Sequence, residues 1–311
     1  MRVVRLEGGR TRAGGPELAG PGASLWVDCA PTPENLAFLA ERFRFHPLAL
    51  EDCAHEDQRV KLDQYPDALF VVLHRLAPSA DESEVVTFEL HAFLTAEALV
   101  TVHSAPIPEV DRLFERCASE PDVLARGPDF AFYRVADAVT DLHFVLVDAL
   151  TDEVDEILDE AMSSETGTDL VERIALARRK HAVLRRKLSP QREVYAALAR
   201  PGQPFVRDQT AVYFRDTVDH SVRLTEEVDM GRDLIASAME AYLSRSGHKL
   251  SAVTSQLTVV ATIFLPLNFL VGFFGMNLVI LPPEVAIPVV LVAIASVPFG
   301  MWLLFRRMRW L

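Results

Sequence analysis

Two long apolar runs near the C-terminal end of the chain constrain its fold more than any other feature. Residues 257–274 read LTVVATIFLPLNFLVGFF, and residues 285–305 form a second apolar run after about ten intervening residues. Each run has the length of roughly 20 residues that a helix needs to cross a lipid bilayer. The sequence therefore predicts a membrane hairpin whose two ends lie on the same side of the bilayer.

Basic residues around the hairpin predict its orientation. Lys249 precedes the first run and Arg306, Arg307 and Arg309 follow the second, whereas the segment 275–284 contains no Lys or Arg. Short flanking segments rich in Lys and Arg stay in the cytoplasm. We therefore predict a multi-pass protein of the inner (plasma) membrane, with both termini in the cytoplasm and the connecting loop outside.

Composition narrows the possibilities for the remaining part of the chain. The chain has 311 residues and a formal net charge of −13. Without the hairpin about 250 residues remain, which is enough for a domain with its own core and helical extensions. The acidic balance speaks against nucleic acid as a partner and suits a domain that attracts cations, although acidity that serves only solubility is the simpler alternative. Cys29, Cys53 and Cys117 have neither the spacing of a metal site nor that of a disulfide framework.

The first 127 residues carry the pattern of an α/β module. Residues 1–24 predict one short strand before a loop rich in Gly and Pro. Runs rich in β-branched residues predict further strands at 25–28, 68–76, 85–94 and 98–102. Pro33 and Pro47 each begin a predicted helix, the first with Thr32 as its N-cap.

From residue 128 onward the pattern is helical. Apolar residues three and four apart predict helices at 130–162 and 168–198. A third helix begins near Arg207 and meets no proline until Pro266. If it continues to residue 274, it is about 100 Å long. Because a helix of that length is not stable alone in water, we predict that it bundles with the same helix of other copies of the chain.

One face of the first apolar helix is smaller and more polar than the opposite face. Its residues recur at three- and four-residue steps and are Ser251, Thr254, Thr258, Ala261, Leu265, Asn268 and Gly272. Polar groups inside a bilayer are costly unless they meet water or other polar groups, so this face suits a water-filled pore. Leu257 and Leu265 would be apolar constrictions in that pore. Tight packing of small residues between helices is the alternative.

Several motifs resemble those of the CorA family of divalent-metal ion channels, over nearly the full chain. They are HPLALED at 46–52, YFRD at 213–216, ATIFLPL at 261–267, GMN at 275–277 and the basic end RRMRWL at 306–311. The resemblance implies a homopentameric funnel. Each subunit would have an α+β cytoplasmic domain, layered as an α/β/α sandwich, followed by a long stalk helix and a two-helix transmembrane hairpin.

This resemblance divides the chain into seven expected segments. They are a cytoplasmic α/β domain at 1–127, helical arms at 128–206, a stalk helix at 207–252, a pore-lining first transmembrane helix at 253–274, an outer GMN loop at 275–285, a second transmembrane helix at 286–305 and a basic cytoplasmic tail at 306–311.

The resemblance also implies that ion selectivity lies at the outer mouth, at Gly275, Met276 and Asn277, with Glu284 in the outer loop. Mg²⁺ gives up its water shell reluctantly, so a pore can bind the hydrated ion with neutral oxygens. Five copies of Asn277 would supply a ring of amide oxygens, and Gly275 would let the backbone leave the helix. The alternative is that Gly275 only ends the helix and Asn277 is a turn residue.

A regulatory Mg²⁺ site in the cytoplasm is also implied, formed by Glu51, Asp52, Asp137 and Asp216. Acids that face each other between subunits repel, and a divalent ion would relieve the repulsion, hold the subunits together and close the pore. From charge alone, acids in a helix end or on a solvated helix face are the simpler interpretation. We interpret His220 as structural.

Some positions depart from the CorA pattern. Ser251 and Thr254 stand at the inner end of the pore, where Asn and Met are common in the family, and Phe274 precedes GMN where Tyr is common. Together with the LNF sequence at 267–269, these features resemble the ZntB branch of the family, whose members are linked to zinc.

We therefore expect a pentameric channel in which Mg²⁺ is both the transported ion and a regulator. One alternative is a ZntB-like transporter of Zn²⁺ or of a broader set such as Co²⁺ and Ni²⁺, with or without proton coupling. Another, from a different class, is a membrane-tethered sensor domain. No nucleotide-binding loop, catalytic triad spacing or closed metal motif predicts an enzyme. The expected partners are other copies of the chain, membrane lipid and divalent cations.

Overall fold

The computed structural model describes residues 1–163, 169–275 and 283–307. The chain divides into two units, Met1–Met239 and Glu240–Leu311. The strands are β1 (Arg2–Glu7), β2 (Arg10–Gly14), β3 (Ser24–Cys29), β4 (Lys61–Gln64), β5 (Leu69–Pro78), β6 (Val85–Leu94) and β7 (Ala98–Val102). The helices are α1 (Pro33–Phe43), α2 (Pro47–Ala54), α3 (Pro108–Ser119), α4 (Asp122–Ala125), α5 (Pro128–Met162), α6 (Leu170–Leu198), α7 (Asp208–Gly275) and α8 (Pro283–Arg307).

The first unit is organised around one seven-stranded sheet with the strand order β2-β1-β3-β7-β6-β5-β4. Only the β3–β7 pair is parallel among the described pairs, and the other neighbours run antiparallel. Alternate side chains of β5 enter different cores, because successive residues of a strand point to opposite faces. Val71 and Leu73 belong to one core, whereas Phe70 and Val72 belong to the other.

Helices cover both faces of this sheet. Residues of α1 and α2, such as Leu39 and Leu50, complete one core. Residues of α3 and α5, such as Phe114 and Phe132, complete the other, together with Phe214 at the start of α7. The predicted α/β/α layering is therefore confirmed.

Two helices also complete one edge of the sheet with side chains. The pairing of β4 with β5 ends at the Lys61–Val72 pair. Farther along β5, the backbone N–H of His74 donates to Oε1 of Gln191 on α6 (2.8 Å), and that of Leu76 donates to Nε2 of His143 on α5 (3.2 Å). Burial and then the charge of Arg75 lower the pKa of His143 to about 3, so at neutral pH the ring is uncharged and its nitrogen can accept.

The predicted helix start at Pro33 is confirmed, and Thr32 Oγ1 accepts a hydrogen bond from the backbone of Asn35 (3.3 Å). The long third helix is also confirmed as α7, which runs through Gly231 and Gly247 without a break. The structure contains β2 where a loop was predicted, and it adds β4, α3 and α4, which the sequence patterns did not predict.

The second unit contains the remainder of α7 and the whole of α8. Both helices have a segment long and apolar enough to cross a membrane. The two described helices extend beyond the bounds expected for them, which were residues 274 and 286. Gly275 is the last residue of α7, and α8 begins at Pro283. A proline suits the first position of a helix because it has no N–H to leave unsatisfied.

Candidate metal centre and pore-lining face

Two neighbouring helices bring three possible metal ligands together in the first unit. Asp137 and Asp141 lie on α5 and His220 lies on α7, and one ligand atom from each lies within 4.8 Å of the others. The two acids are four residues apart, which places them on the same face of α5. Two carboxylates and an imidazole form a donor set that can hold a divalent cation.

The electrostatics of the two acids favour a bound cation. Burial of the half-buried Asp137 raises its pKa, and the nearby charge of Asp141 raises it further. The Tyr133 hydroxyl donates a hydrogen bond to Asp137, which stabilises the ionised carboxylate and partly offsets the rise in its pKa. Burial, followed by the charge of Asp137, raises the pKa of Tyr133 to about 12, so that hydroxyl stays protonated. A divalent ion would relieve the repulsion between the two carboxylates.

His220 has unused hydrogen-bonding capacity at this site. In the part of the chain that the structure describes, its Nδ1 is buried and has no hydrogen-bond partner. Its Nε2 lies 3.9 Å from Oδ2 of Asp216, one turn earlier on α7, and the Asp216 side chain is 65% exposed. The ring also packs edge-on against Phe144, with centroids 5.7 Å apart. A buried nitrogen without a partner is costly unless a ligand satisfies it, so His220 fits the role of a metal ligand.

The other predicted regulatory acids lie on α2. Lys61 Nζ lies 2.7 Å from Oδ2 of Asp52 and 2.8 Å from Oδ2 of Asp63, whereas Glu51 is exposed. Within one chain, Lys61 therefore offsets the charge of Asp52. The structure groups Asp137 and Asp216 around His220, and it gives Asp52 a different partner.

Sequence interpretation missed two members of this cluster. Asp141 was not singled out, and His220 was interpreted as structural. A signal was present in the four-residue spacing of Asp137 and Asp141 and of Asp216 and His220, since each pair shares a helix face. The pairing of those two faces depends on how α5 packs on α7, which spacing alone does not reveal.

The residues predicted to line a pore share one property in the single chain. All of them are exposed: Ser251, Thr254, Leu257, Thr258, Ala261, Leu265, Asn268 and Gly272. The less exposed face of this part of α7 carries Val259, which is 5% exposed, together with the partly covered Ile263 and Leu267. A pore formed between copies of a helix requires that its lining be uncovered in one copy, and these positions meet that requirement.

Three threonines form a ladder along the exposed side of this segment. The hydroxyls of Thr254, Thr258 and Thr262 donate to the carbonyl oxygens of Leu250, Thr254 and Thr258, at 2.9, 2.8 and 2.7 Å respectively. Each hydroxyl hydrogen is thus used within the helix, and the oxygen lone pairs remain available. The ladder offers acceptors, which suit the outward-pointing hydrogens of a hydrated cation.

Some of the predicted selectivity residues lie beyond what the structure describes. Gly275 ends α7. Met276 and Asn277 lie outside the described residues, and so does the side chain of Glu284 in the first turn of α8.

Comparisons with known proteins cover nearly the whole chain. The model of the family described as CorA-like Mg²⁺ transporter protein matches residues 22–307. The chain is 32% identical to YfjQ of Bacillus subtilis (strain 168) over 93% of its own length and 90% of that protein. It is 30% identical to the cobalt/magnesium transport protein CorA of Thermotoga maritima, over 88% of its length and 79% of that protein. The solved structure of the CorA magnesium transporter from Methanocaldococcus jannaschii shares the fold, with a TM-score of 0.87 at 21% identity, over 100% of this chain and 99% of that one.

Proposed function

The chain belongs to the family of CorA-like Mg²⁺ transporter proteins, and we propose that it carries divalent cations, Mg²⁺ in particular, across the plasma membrane. The observation that carries this proposal is α7, a single helix of 68 residues. It bears His220 of the metal cluster and Asp216 one turn before it, then the exposed polar face, and it ends at the first residue of the GMN motif. Its relatives named for cobalt and magnesium transport support the same substrate class.

We propose that the working form is a homopentamer with both termini in the cytoplasm. The segment 207–252 would form the stalk and 253–274 the pore-lining span, surrounded by second spans at 286–305. The exposed face of α7 supports this assembly, because residues such as Leu257 and Leu265 are 69% and 75% exposed in one chain. Five copies would place these side chains around a common axis, and packing between the helices would stabilise the assembly within the bilayer.

The pore would pass the ion with most of its water. Asn277 at the outer mouth supplies amide oxygens, and the threonine oxygens below it accept from the hydration shell. Neutral acceptors bind a hydrated divalent ion weakly enough to release it, which conduction requires. Leu257 and Leu265 form the apolar positions at which the pore closes.

The acid cluster would sense the internal ion concentration. A cation bound by Asp137, Asp141 and His220 joins α5 to α7, and loss of that cation restores the repulsion between the acids. Asp52 of a neighbouring copy would complete the site by releasing its ion pair with Lys61 and binding the cation instead. The bound and free forms then differ in how firmly the stalk helices are held, and the ion biases one of them through its higher affinity for it.

His220 specifically favours a second class of regulatory ion. Mg²⁺ prefers an all-oxygen donor set, whereas Co²⁺ and Zn²⁺ accept imidazole nitrogen readily. A nitrogen ligand at the sensing site therefore supports regulation by these transition ions, and the relative named for cobalt and magnesium transport supports Co²⁺ as a second transported ion.

Uptake into liposomes containing the purified full chain tests both candidates. We expect Mg²⁺ influx in the wild type, loss of influx in Asn277→Ala, and unchanged influx in the matched control Ser296→Ala on α8. Competition by Co²⁺, Zn²⁺ and Ni²⁺, with and without a pH gradient, ranks the ions and detects proton coupling. Undiminished influx in Asn277→Ala would overturn the selectivity assignment, and a wild type that passes no cation would favour the tethered sensor.

A further inference from the structure

Basic residues gather where the two membrane helices meet the same side of the bilayer. They are Arg245 and Lys249 on α7, Arg306 and Arg307 at the end of α8, and Arg309 after it in the sequence. From residue 241 to residue 311 the sequence contains a single acidic residue, Glu284, in the first turn of α8 at its opposite end. The whole chain has a net charge of −13, so this part of the chain has the opposite sign of charge to the whole.

The chain does not neutralise these charges. Arg245, Lys249, Arg306 and Arg307 have no ion-pair partner within residues 1–163, 169–275 and 283–307. The guanidinium of Arg306 instead lies over the ring of Trp302, one turn earlier on α8, at 5.3 Å from the ring centre. Lys249, Arg306 and Arg307 are exposed, so their charges are available to a partner from outside the chain.

The helical rise places the basic residues of the two helices at a similar depth. Lys249 lies about 39 Å along α7 from the end of that helix at Gly275, and Arg307 lies about 36 Å along α8 from its start at Pro283. The hydrocarbon core of a bilayer is about 30 Å thick, and the headgroup regions extend this to about 40–45 Å in total. Both residues therefore lie at the level of the lipid headgroups.

The basic residues of α7 continue its covered side and not its predicted pore-lining face. The covered side includes Val259 and Ile263, and Arg245 and Lys249 precede these two residues by 14 positions each, which is close to four whole turns. On α8 the covered side includes Phe305, which is 6% exposed. The two covered sides face each other, because α7 and α8 are the only helices that the structure describes in this unit. The basic ends of both helices therefore border the same contact.

An exposed apolar side chain lies one turn from each of three basic residues, towards the middle of the span. The pairs are Val253 with Lys249, Trp302 with Arg306 and Leu303 with Arg307. These apolar side chains are 56%, 42% and 48% exposed. The surface thus combines a positive end with an adjoining apolar side, which matches an amphiphile with an anionic head and apolar chains.

We propose that these ends of α7 and α8 together bind the headgroup of an anionic phospholipid, with Lys249 and Arg307 as ligands of its phosphate. A guanidinium presents a fork that matches two phosphate oxygens, and an ammonium supplies a compact positive charge beside it. The acyl chains lie along the adjoining apolar side chains, which a free phosphate ion would leave uncovered. The bound lipid joins the two helices of the hairpin. Its place in the cytoplasmic leaflet rests on the proposed orientation, whereas the binding can be measured without ion transport.

Quenching of tryptophan fluorescence by lipids with brominated acyl chains tests this site, because Trp302 lies one turn from Arg306. The full chain is reconstituted into phosphatidylcholine vesicles that contain brominated phosphatidylglycerol or brominated phosphatidylcholine at the same mole fraction. The ratio of the two quenching constants measures the preference for the anionic lipid. We expect a preference of at least about fivefold in the wild type, the effect of one basic residue near an anionic membrane surface.

Variants of the two phosphate ligands test whether they share one headgroup. Lys249→Gln and Arg307→Gln should each remove most of the preference, and the double variant should lose little more. Arg306 is left unchanged because it contacts the Trp302 probe. Lys249→Arg keeps the charge and should retain the preference. Arg178→Gln removes the same charge from an exposed position on α6 and is the matched control.

Four results would overturn the proposal. Equal quenching by the two lipids in the wild type would leave acidic residues of a neighbouring copy as the counter-charges. Losses that multiply in the double variant would indicate independent surface charges. An equal loss in Arg178→Gln would indicate nonspecific attraction. Loss of the preference when inorganic phosphate is added at fixed ionic strength would assign the site to a free anion.

Discussion

The carboxylate of Asp129 accepts hydrogen bonds from both the backbone N–H (3.1 Å) and the side-chain Nε (3.0 Å) of Arg207. Nη2 of Arg207 contacts the same carboxylate. Asp129 is 2% exposed at the start of α5, and Arg207 immediately precedes α7. A side chain at Gly127 would clash with the guanidinium, so the glycine leaves room for this pair. The pair therefore ties the start of the long helix to the α/β layers.

Asp129→Asn should destabilise the first unit by about 1–3 kcal/mol at neutral pH, because it removes a charged partner from hydrogen bonds. Burial would raise the pKa of Asp129, but hydrogen bonds from Arg207 and Thr210 outweigh it and hold the pKa below its usual value. The stabilisation is thus present above the unfolded pKa of about 3.9 and is lost as the pH falls through the folded-state value. Denaturant unfolding at pH 7 and pH 3 should show a smaller mutant effect at pH 3 than at pH 7. Asp122→Asn, at an exposed pair with Arg116, is the control, and an equal effect at both pH values would contradict the prediction.

Gly231→Ala should weaken the packing of α6 on α7. A Cβ at this position would clash with the ring of His181, which is 2% exposed and has its Nδ1 held by the carbonyl of Ala177 (2.9 Å). We expect a loss of about 1–3 kcal/mol in thermal or denaturant unfolding, as for other overpacked sites. Gly247→Ala meets nothing within 4 Å and should be neutral or stabilising by up to about 1 kcal/mol. A double variant that also carries His181→Ala should recover part of the loss, and no recovery would mean that the clash is not the cause.

Co²⁺ should stabilise the chain against thermal unfolding, and this stabilisation should depend on His220 more than the stabilisation by Mg²⁺ does. His220→Gln removes the imidazole donor and should reduce the rise in melting temperature caused by Co²⁺, with a smaller effect on the rise caused by Mg²⁺. Asp137→Asn should reduce both, because it removes a carboxylate that either ion uses. Thermal unfolding against metal concentration measures these shifts, and equal losses for the two ions in His220→Gln would exclude His220 as a direct ligand.

Asp52→Lys should shift Mg²⁺ protection against proteolysis to higher Mg²⁺ concentration. The substitution places a second cation beside Lys61, which lies 2.7 Å from Asp52, and it repels a divalent ion at the proposed contact between copies. Asp216→Lys should act in the same direction from α7. Digestion of the full chain over a Mg²⁺ series gives the midpoint, with Glu34→Lys at the start of α1 as a control for added charge. Superimposable curves for all variants would remove Asp52 and Asp216 from the regulatory site.

Thr258→Val should reduce ion flux several-fold while leaving assembly intact, because valine keeps the shape of threonine and removes the oxygen acceptor. Thr258→Ser retains the acceptor and should conduct like the wild type. Liposome influx measures both, and size-exclusion chromatography verifies the assembly. Equal flux in the two variants would mean that the threonine oxygens do not contact the permeating ion.

The parts of the fold that could be predicted are those with a strong local pattern. The membrane spans and strands β5 to β7 have continuous apolar or β-branched runs, and the start of α1 has a threonine followed by a proline. β2 and β4 lack such runs, since RTRAG and KLDQ are mostly polar edge strands, and neighbouring strands determine their conformation.

The candidate metal site was also predictable only where the sequence carries a local motif. Asp137 and Asp216 could be proposed from motifs, whereas the meeting of Asp141 with His220 depends on the packing of two helices far apart in the chain. The partner of Asp52 was equally hidden, because Lys61 approaches it only when β4 joins the sheet beside α2.

The capping of β5 by Gln191 and His143 has a consequence for solubility before assembly. A bare strand edge invites a strand from another molecule and is a common start of aggregation. Here that edge is already closed from within the same chain by two helices. An unassembled copy is therefore protected against strand-to-strand aggregation along this part of β5.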